Sequence, residues 1–252
     1  MFKRFASISL LVSLVLLAGC AEKSPFKRSN LQDLCKASPE EQANARSTIK
    51  KSQYNYAMDD FLNAWESPRK RETVALAFIK AGIMNETVTW TEADRKIEEA
   101  TVLHIAIVEN LPFVFGKSLA CIDPDRQTKD GSTPLTLAVE FEHPDLAKKL
   151  IQAGASVNLE DSRGMTPLHW AAARGYRGMA EELIERGSNL QTRDRTGRTP
   201  LHHAAEQNQP ELVKLLVNNG ADPAATTKNG WRPLNLTTDP QIKEILRESL
   251  SG

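Results

Sequence analysis

Glycine recurs every 33 residues through the second half of the chain, at Gly131, Gly164, Gly197 and Gly230. The flanks recur with it: Gly131-Ser-Thr-Pro-Leu135, Gly164-Met-Thr-Pro-Leu-His169, Gly197-Arg-Thr-Pro-Leu-His202 and Gly230-Trp-Arg-Pro-Leu234. Gly154, Gly187 and Gly220 keep the same period. So do Leu146, Met179 and Leu212, and Leu150, Leu183 and Leu216. Several position classes in one register are not accidental. Each block is one small structural unit that cannot bury its apolar face alone, so neighbouring copies must stack.

Within a block, Thr precedes Pro, which takes the first helical turn where its missing N–H costs nothing. Leu168-His-Trp-Ala-Ala172 and Leu201-His-His-Ala-Ala205 predict a short inner helix whose alanines permit close stacking. Leu212, Leu215 and Leu216 fall at i, i+3 and i+4, the apolar stripe of an outer helix. Gly220 then ends that helix in a left-handed conformation. A segment such as Asp194-Arg-Thr-Gly197 follows as a turn projecting from the helices.

A period of 33 with Thr-Pro-Leu-His resembles the ankyrin repeat. The resemblance implies an all-α ankyrin-repeat solenoid that binds proteins on a concave face of hairpin tips and inner helices. His104, His169 and His202 occupy its motif position, where the imidazole bonds the backbone and the Thr of its own turn. His143 falls in the loop between two helices.

The array extends beyond its clean part. Thr101-Val-Leu-His-Ile-Ala106 is a divergent copy, with an outer helix near Leu111–Ala120 expected to be irregular because Pro112 and Gly116 interrupt it. Val74–Gly82 matches Leu212–Gly220 in spacing, and residues 34–97 read as an N-terminal helical cap or degenerate repeat. Tyr56, Phe61, Leu62 and Trp65 would pack inward there, while Thr87–Thr91 alternates like a strand of an enlarged hairpin. At the far end the step from Leu212 to Ile242 is 30, so that repeat is three residues short. Lys243, Glu244, Arg247 and Glu248 give it the polar outer face of a cap. One continuous array of five or so repeats, rather than two separate domains, is expected, with its ankyrin repeats over 98–252.

The first twenty residues carry an address. Lys3 and Arg4 precede the apolar run Ile8–Ala18, the form of an export signal. Eleven helical residues span roughly 16 Å, about half a bilayer core. The run ends in Leu17-Ala18-Gly19-Cys20, which resembles the bacterial lipobox. That resemblance implies cleavage after residue 19, lipidation of Cys20 and stable anchoring by two or three chains. Ala21, in place of Asp, points to the outer membrane facing the periplasm. Residues 20–33 are a polar tether; thirteen of them reach about 45 Å when extended.

Lys+Arg and Asp+Glu are 32 each; without residues 1–19, which hold Lys3 and Arg4 and no acid, the balance is 30 against 32. Nothing there suggests nucleic-acid binding. Cys-x-x-Cys, His-Glu-x-x-His, calcium loops, phosphate loops and a Gly-x-Ser-x-Gly elbow are all missing from the sequence. His202 and His203 are neighbours on a helix and point apart. No catalytic residue, metal or cofactor is therefore expected. Lipidation of Cys20 leaves Cys35 and Cys121 as an even pair in an oxidising compartment. Such a pair invites a disulfide between cap and first repeat; two buried thiols are the alternative.

Positions without packing duty mark a partner face. Lys129, Arg163, Arg193, Arg195, Arg198 and Lys228 form a basic stripe along the tips. Phe141, Trp170, Arg174, Tyr176, His203 and Trp231 lie beside it. Arg, Trp and Tyr dominate interface energetics. The expected partner is a protein with an acidic surface, with anionic lipid head groups a weaker use. Repeat-built lipoproteins with this address resemble immunity proteins against type VI secretion effectors, including phospholipases. The alternative is a scaffold for an envelope complex or a support factor for a periplasmic enzyme.

Overall fold

The computed structural model describes residues 88–92 and 95–251. The signal, Cys20, the tether, Cys35 and the cap residues before 88 lie outside the described residues. Contacts divide the chain into two units, Met1–Asp123 and Pro124–Gly252.

In the first unit, β1 (Val88–Glu92) and β2 (Arg95–Ala100) pair antiparallel, with Trp90 opposite Ile97 and an irregularity between Val88 and Trp90. This is the hairpin that the alternation of residues 87–91 predicts. Helix α1 (Val102–Val108) follows and is buried along its whole length. Helix α2 (Pro112–Leu119) buries Val114 and Phe115. The expected break in it does not occur. Pro112 sits in the first turn, where no N–H is needed, and Gly116 is accommodated inside the helix. Cys121, just past α2, is disulfide-bonded.

The second unit holds four repeats. Inner helices α3 (Pro134–Glu140), α5 (Pro167–Arg174), α7 (Pro200–Glu206) and α9 (Pro233–Leu236) pack in succession. Each outer helix packs on its own inner helix: α4 (Pro144–Gln152), α6 (Arg177–Glu185), α8 (Pro210–Asn218) and α10 (Pro240–Ser251). Thr133, Thr166 and Thr199 cap the inner helices in extended conformation with Pro behind them. Ala171, Ala172, Ala204 and Ala205 are fully buried, so α5 and α7 approach closely. Outer helices bury one stripe only, as Leu212, Val213 and Leu216 do on α8. Each fully buried leucine contributes about 1.5–3 kcal/mol of transfer free energy.

A single left-handed residue reverses the chain between inner and outer helix. It is Glu142 (φ 62), Gly175 (φ 71) or Asn208 (φ 51) in successive repeats. The fourth repeat is shortened in its inner helix: α9 has 4 residues where α7 has 7. That accounts for its missing three residues.

Candidate functional site

The tips are tight turns built on one residue recurring every 33: Thr128, Asp161, Asp194 and Thr227. Asp161 Oδ1 accepts from the backbone N–H groups of Arg163 (2.8 Å) and Met165 (2.9 Å). Asp194 Oδ1 accepts likewise from Thr196 and Arg198, and from the Thr196 hydroxyl at 2.6 Å. The other carboxylate oxygen faces the inner helix. Asp161 Oδ2 accepts from Trp170 Nε1 at 3.2 Å, and Asp194 Oδ2 meets His203 Nε2 at 2.9 Å. Trp170 and His203 are themselves 33 apart. The tip acid and its inner-helix partner thus form one recurring clasp. Sequence reasoning missed this clasp, although the coincident spacing of 161/194 with 170/203 is its signal.

Successive tips are stitched by backbone. Ser162, Arg195 and Lys228 donate their N–H groups to the carbonyls of Asp130 (2.7 Å), Arg163 (2.8 Å) and Thr196 (3.0 Å). The approach crowds the tip glycines Gly131, Gly164 and Gly197. A Cβ on Gly197 would stand 2.7 Å from the Lys228 nitrogen, and φ there is +85°. Glycine is required on both counts.

The motif histidines His169 and His202 are bonded through both ring nitrogens. The Thr166 N–H donates to His169 Nδ1 at 3.2 Å, which fixes Nδ1 as an acceptor and puts the proton on Nε2. That Nε2–H then donates to the Arg198 carbonyl at 3.2 Å. His202 repeats the arrangement with Thr199 and the Trp231 carbonyl. The bond into the following repeat goes beyond the local role expected of them. Burial first, and His203 second, push His169 down to about 4. Burial also lowers His202. For Asp194, burial alone would raise the carboxyl; the bonds from His203, Thr196 and Arg198 hold it well below the usual carboxylate range.

The expected partner face is sorted by these bonds. Arg193 is exposed, yet its guanidinium donates to the carbonyls of Gly197 (3.2 Å) and Thr226. Gln127 does the same for Gly131 and Glu160, so both residues staple adjacent tips. Arg198 is half-buried and pairs with Glu206 at 2.7 Å. His203 is buried against Asp194 and edge-on to His169, so its ring is committed to packing rather than to an open surface. Trp170 is buried too, with the Arg163 guanidinium 4.3 Å above its ring. Arg163 remains 55% exposed and touches Asp161 at 3.5 Å.

Lys129, Arg174, Arg195, Lys228 and Trp231 are exposed, and Phe141 and Tyr176 are half-buried. Burial first and Glu142 second raise the Tyr176 phenol to about 12. The open surface is therefore narrower than the stripe read from sequence, and centres on Arg163, Arg195, Lys228 and Trp231.

Among the described residues no cluster of His, Cys, Asp or Glu is arranged to hold a metal ion. The Asp194–His203 pair is buried. No helix among them is long and apolar enough to cross a membrane. The family model described as ankyrin repeats (three copies) matches residues 74–161, 103–194, 141–227 and 186–246. No curated protein matches the chain.

Proposed function

The chain belongs to the ankyrin-repeat family, and from that premise we propose a protein-binding lipoprotein whose tip edge meets an acidic partner surface. Ankyrin-repeat proteins are usually non-enzymatic binding scaffolds, and their partners are proteins. One observation carries the charge preference. The tip carboxylates Asp161 and Asp194 are buried and consumed by local bonds, while Arg163 and Arg195 at the same tips stay exposed. A chain without net charge therefore presents a positive edge, which steers and orients an anionic partner.

The address supports the finer reading. A lipobox Cys20 would hold the chain at the outer membrane facing the periplasm, with the tether giving reach. In that reading it is an immunity protein, and occlusion neutralises a phospholipase-like type VI effector beside the membrane it attacks. Holding the inhibitor where the toxin's substrate lies is the physical benefit of the anchor.

Charge reversal tests the surface. Arg195→Glu should weaken partner capture from periplasmic extract by about tenfold, or 1.4 kcal/mol. Stability should change by no more than ~0.5 kcal/mol. Unaltered capture removes the tip edge from the proposal. Deleting the gene tests the immunity role: mutant cells should die when challenged by effector-armed siblings, and full survival overturns it.

A further inference from the structure

Each tip before the fourth is covered in the same way. The next tip's backbone lies over its glycine, 3.0 Å from a Cβ position at Gly131 and Gly164 and 2.7 Å at Gly197, and donates one N–H to a neighbouring carbonyl. The fourth tip keeps the receiving geometry. Gly230 retains φ +77°, but nothing stands within 4 Å of its Cβ position. Asn229 is the counterpart of Asp130, Arg163 and Thr196, whose carbonyls accept those N–H groups. Trp231 is the counterpart of Ser132 (1% exposed), Met165 (7%) and Arg198, whose side chain is 29% exposed, yet it is 54% exposed.

The fourth repeat is not careless with its surface elsewhere. Helix α10 presents Glu244, Arg247 and Glu248 outward, as a capping element should. The fourth tip thus pairs an open backbone edge with an exposed tryptophan, a residue type that often anchors interfaces. The cations around it set the partner's sign. Lys228, Arg232 and Arg195 are exposed and form no ion pair among the described residues.

We propose that Thr227–Arg232 is a docking edge for a tight turn of an acidic protein partner. The partner donates a backbone N–H to the Asn229 carbonyl, lies on Gly230 and covers the Trp231 ring. Its carboxylates meet Lys228 and Arg232. The contact continues the stitch that joins the preceding tips, a form of backbone augmentation. This rests on the protein-binding reading and adds where and how the partner engages.

The test uses the soluble chain from residue 21 and a library of disulfide-constrained random peptides, which present tight turns. Selected peptides should be rich in Asp and Glu. Their affinity should fall at least tenfold with Trp231→Ala and with Lys228→Glu, and stay within twofold with Arg163→Glu. Unfolding midpoints should match wild type, since these side chains are exposed. Peptides sensitive to Arg163→Glu but not to Trp231→Ala would keep the protein-binding reading and overturn the docking edge. Failure to select any peptide counts against both. Self-association abolished by Trp231→Ala would assign the edge to a second copy and overturn an acidic partner.

Discussion

The third and fourth repeats of the second unit diverge at one motif position. In the third, His202 accepts from the Thr199 N–H through Nδ1 and donates onward to the Trp231 carbonyl through Nε2. In the fourth, Asn235 stands 33 residues later and accepts from the Arg232 N–H at 2.8 Å. The asparagine reproduces the local half of the histidine's work and lacks the second ring nitrogen for the other half. The comparison separates two duties that the motif fuses: capping the helix, and bonding the next block. An interior repeat needs both. The fourth repeat, with no tip beyond it among the described residues, needs one.

Core deletions should break this contrast most strongly. Leu168 is fully buried and Leu250 is 37% exposed. Leu168→Ala is expected to cost about 2–5 kcal/mol in urea unfolding. Leu250→Ala should stay within ~0.5 kcal/mol. Equal costs would mean that the interior and the far end of the unit are equally committed.

Acid should act through the interior histidines. His169 is held neutral, with a folded value of about 4 against 6.5 unfolded, so the unfolded chain binds the extra proton first. Stability is full above pH 6.5 and falls as the pH drops towards 4, by on the order of 3 kcal/mol. Thermal unfolding across that window should show the loss, and His169→Asn should flatten the profile. An unchanged profile in the variant would locate acid sensitivity elsewhere.

Glycine substitutions sharpen the comparison further. Gly197→Ala and Gly230→Ala share a left-handed backbone, which costs about 1–2 kcal/mol. Only Gly197 also meets the next tip's backbone. Its variant should unfold at clearly lower denaturant than Gly230→Ala. The smallest effect concerns the motif itself. His202→Asn should lose about 0.5–1.5 kcal/mol with the forward hydrogen bond. The reciprocal Asn235→His should be nearly neutral, because the described residues hold no further tip for the second nitrogen to reach. Calorimetry of the pair would decide.

Legibility in the sequence followed the periodicity. The register of the glycines, the Thr-Pro starts and the Leu stripe on α8 place every helix of the second unit, because stacking forces identical positions into identical environments. Pro112 was misread as an interruption since sequence alone leaves open whether a proline begins a helix or breaks it. The partner face was harder. Arg193, Arg198, Trp170 and His203 are residue types found at interfaces, and only the geometry reveals that neighbouring carbonyls, Glu206, Asp161 and Asp194 already occupy them. A side chain long enough to reach a partner is also long enough to reach its own neighbour.

Side-chain-to-backbone bonds between blocks run forward along the chain. Asp125, Gln127, Asn158, His169, Gln191, Arg193, His202 and Asn208 each offer a side chain to backbone roughly thirty residues further on. Synthesis runs in the same direction, so every one of these groups leaves the ribosome before its partner exists. These bonds can therefore form only once the following block has been made. A side chain removed from one block therefore leaves a backbone group unpaired about one period further on.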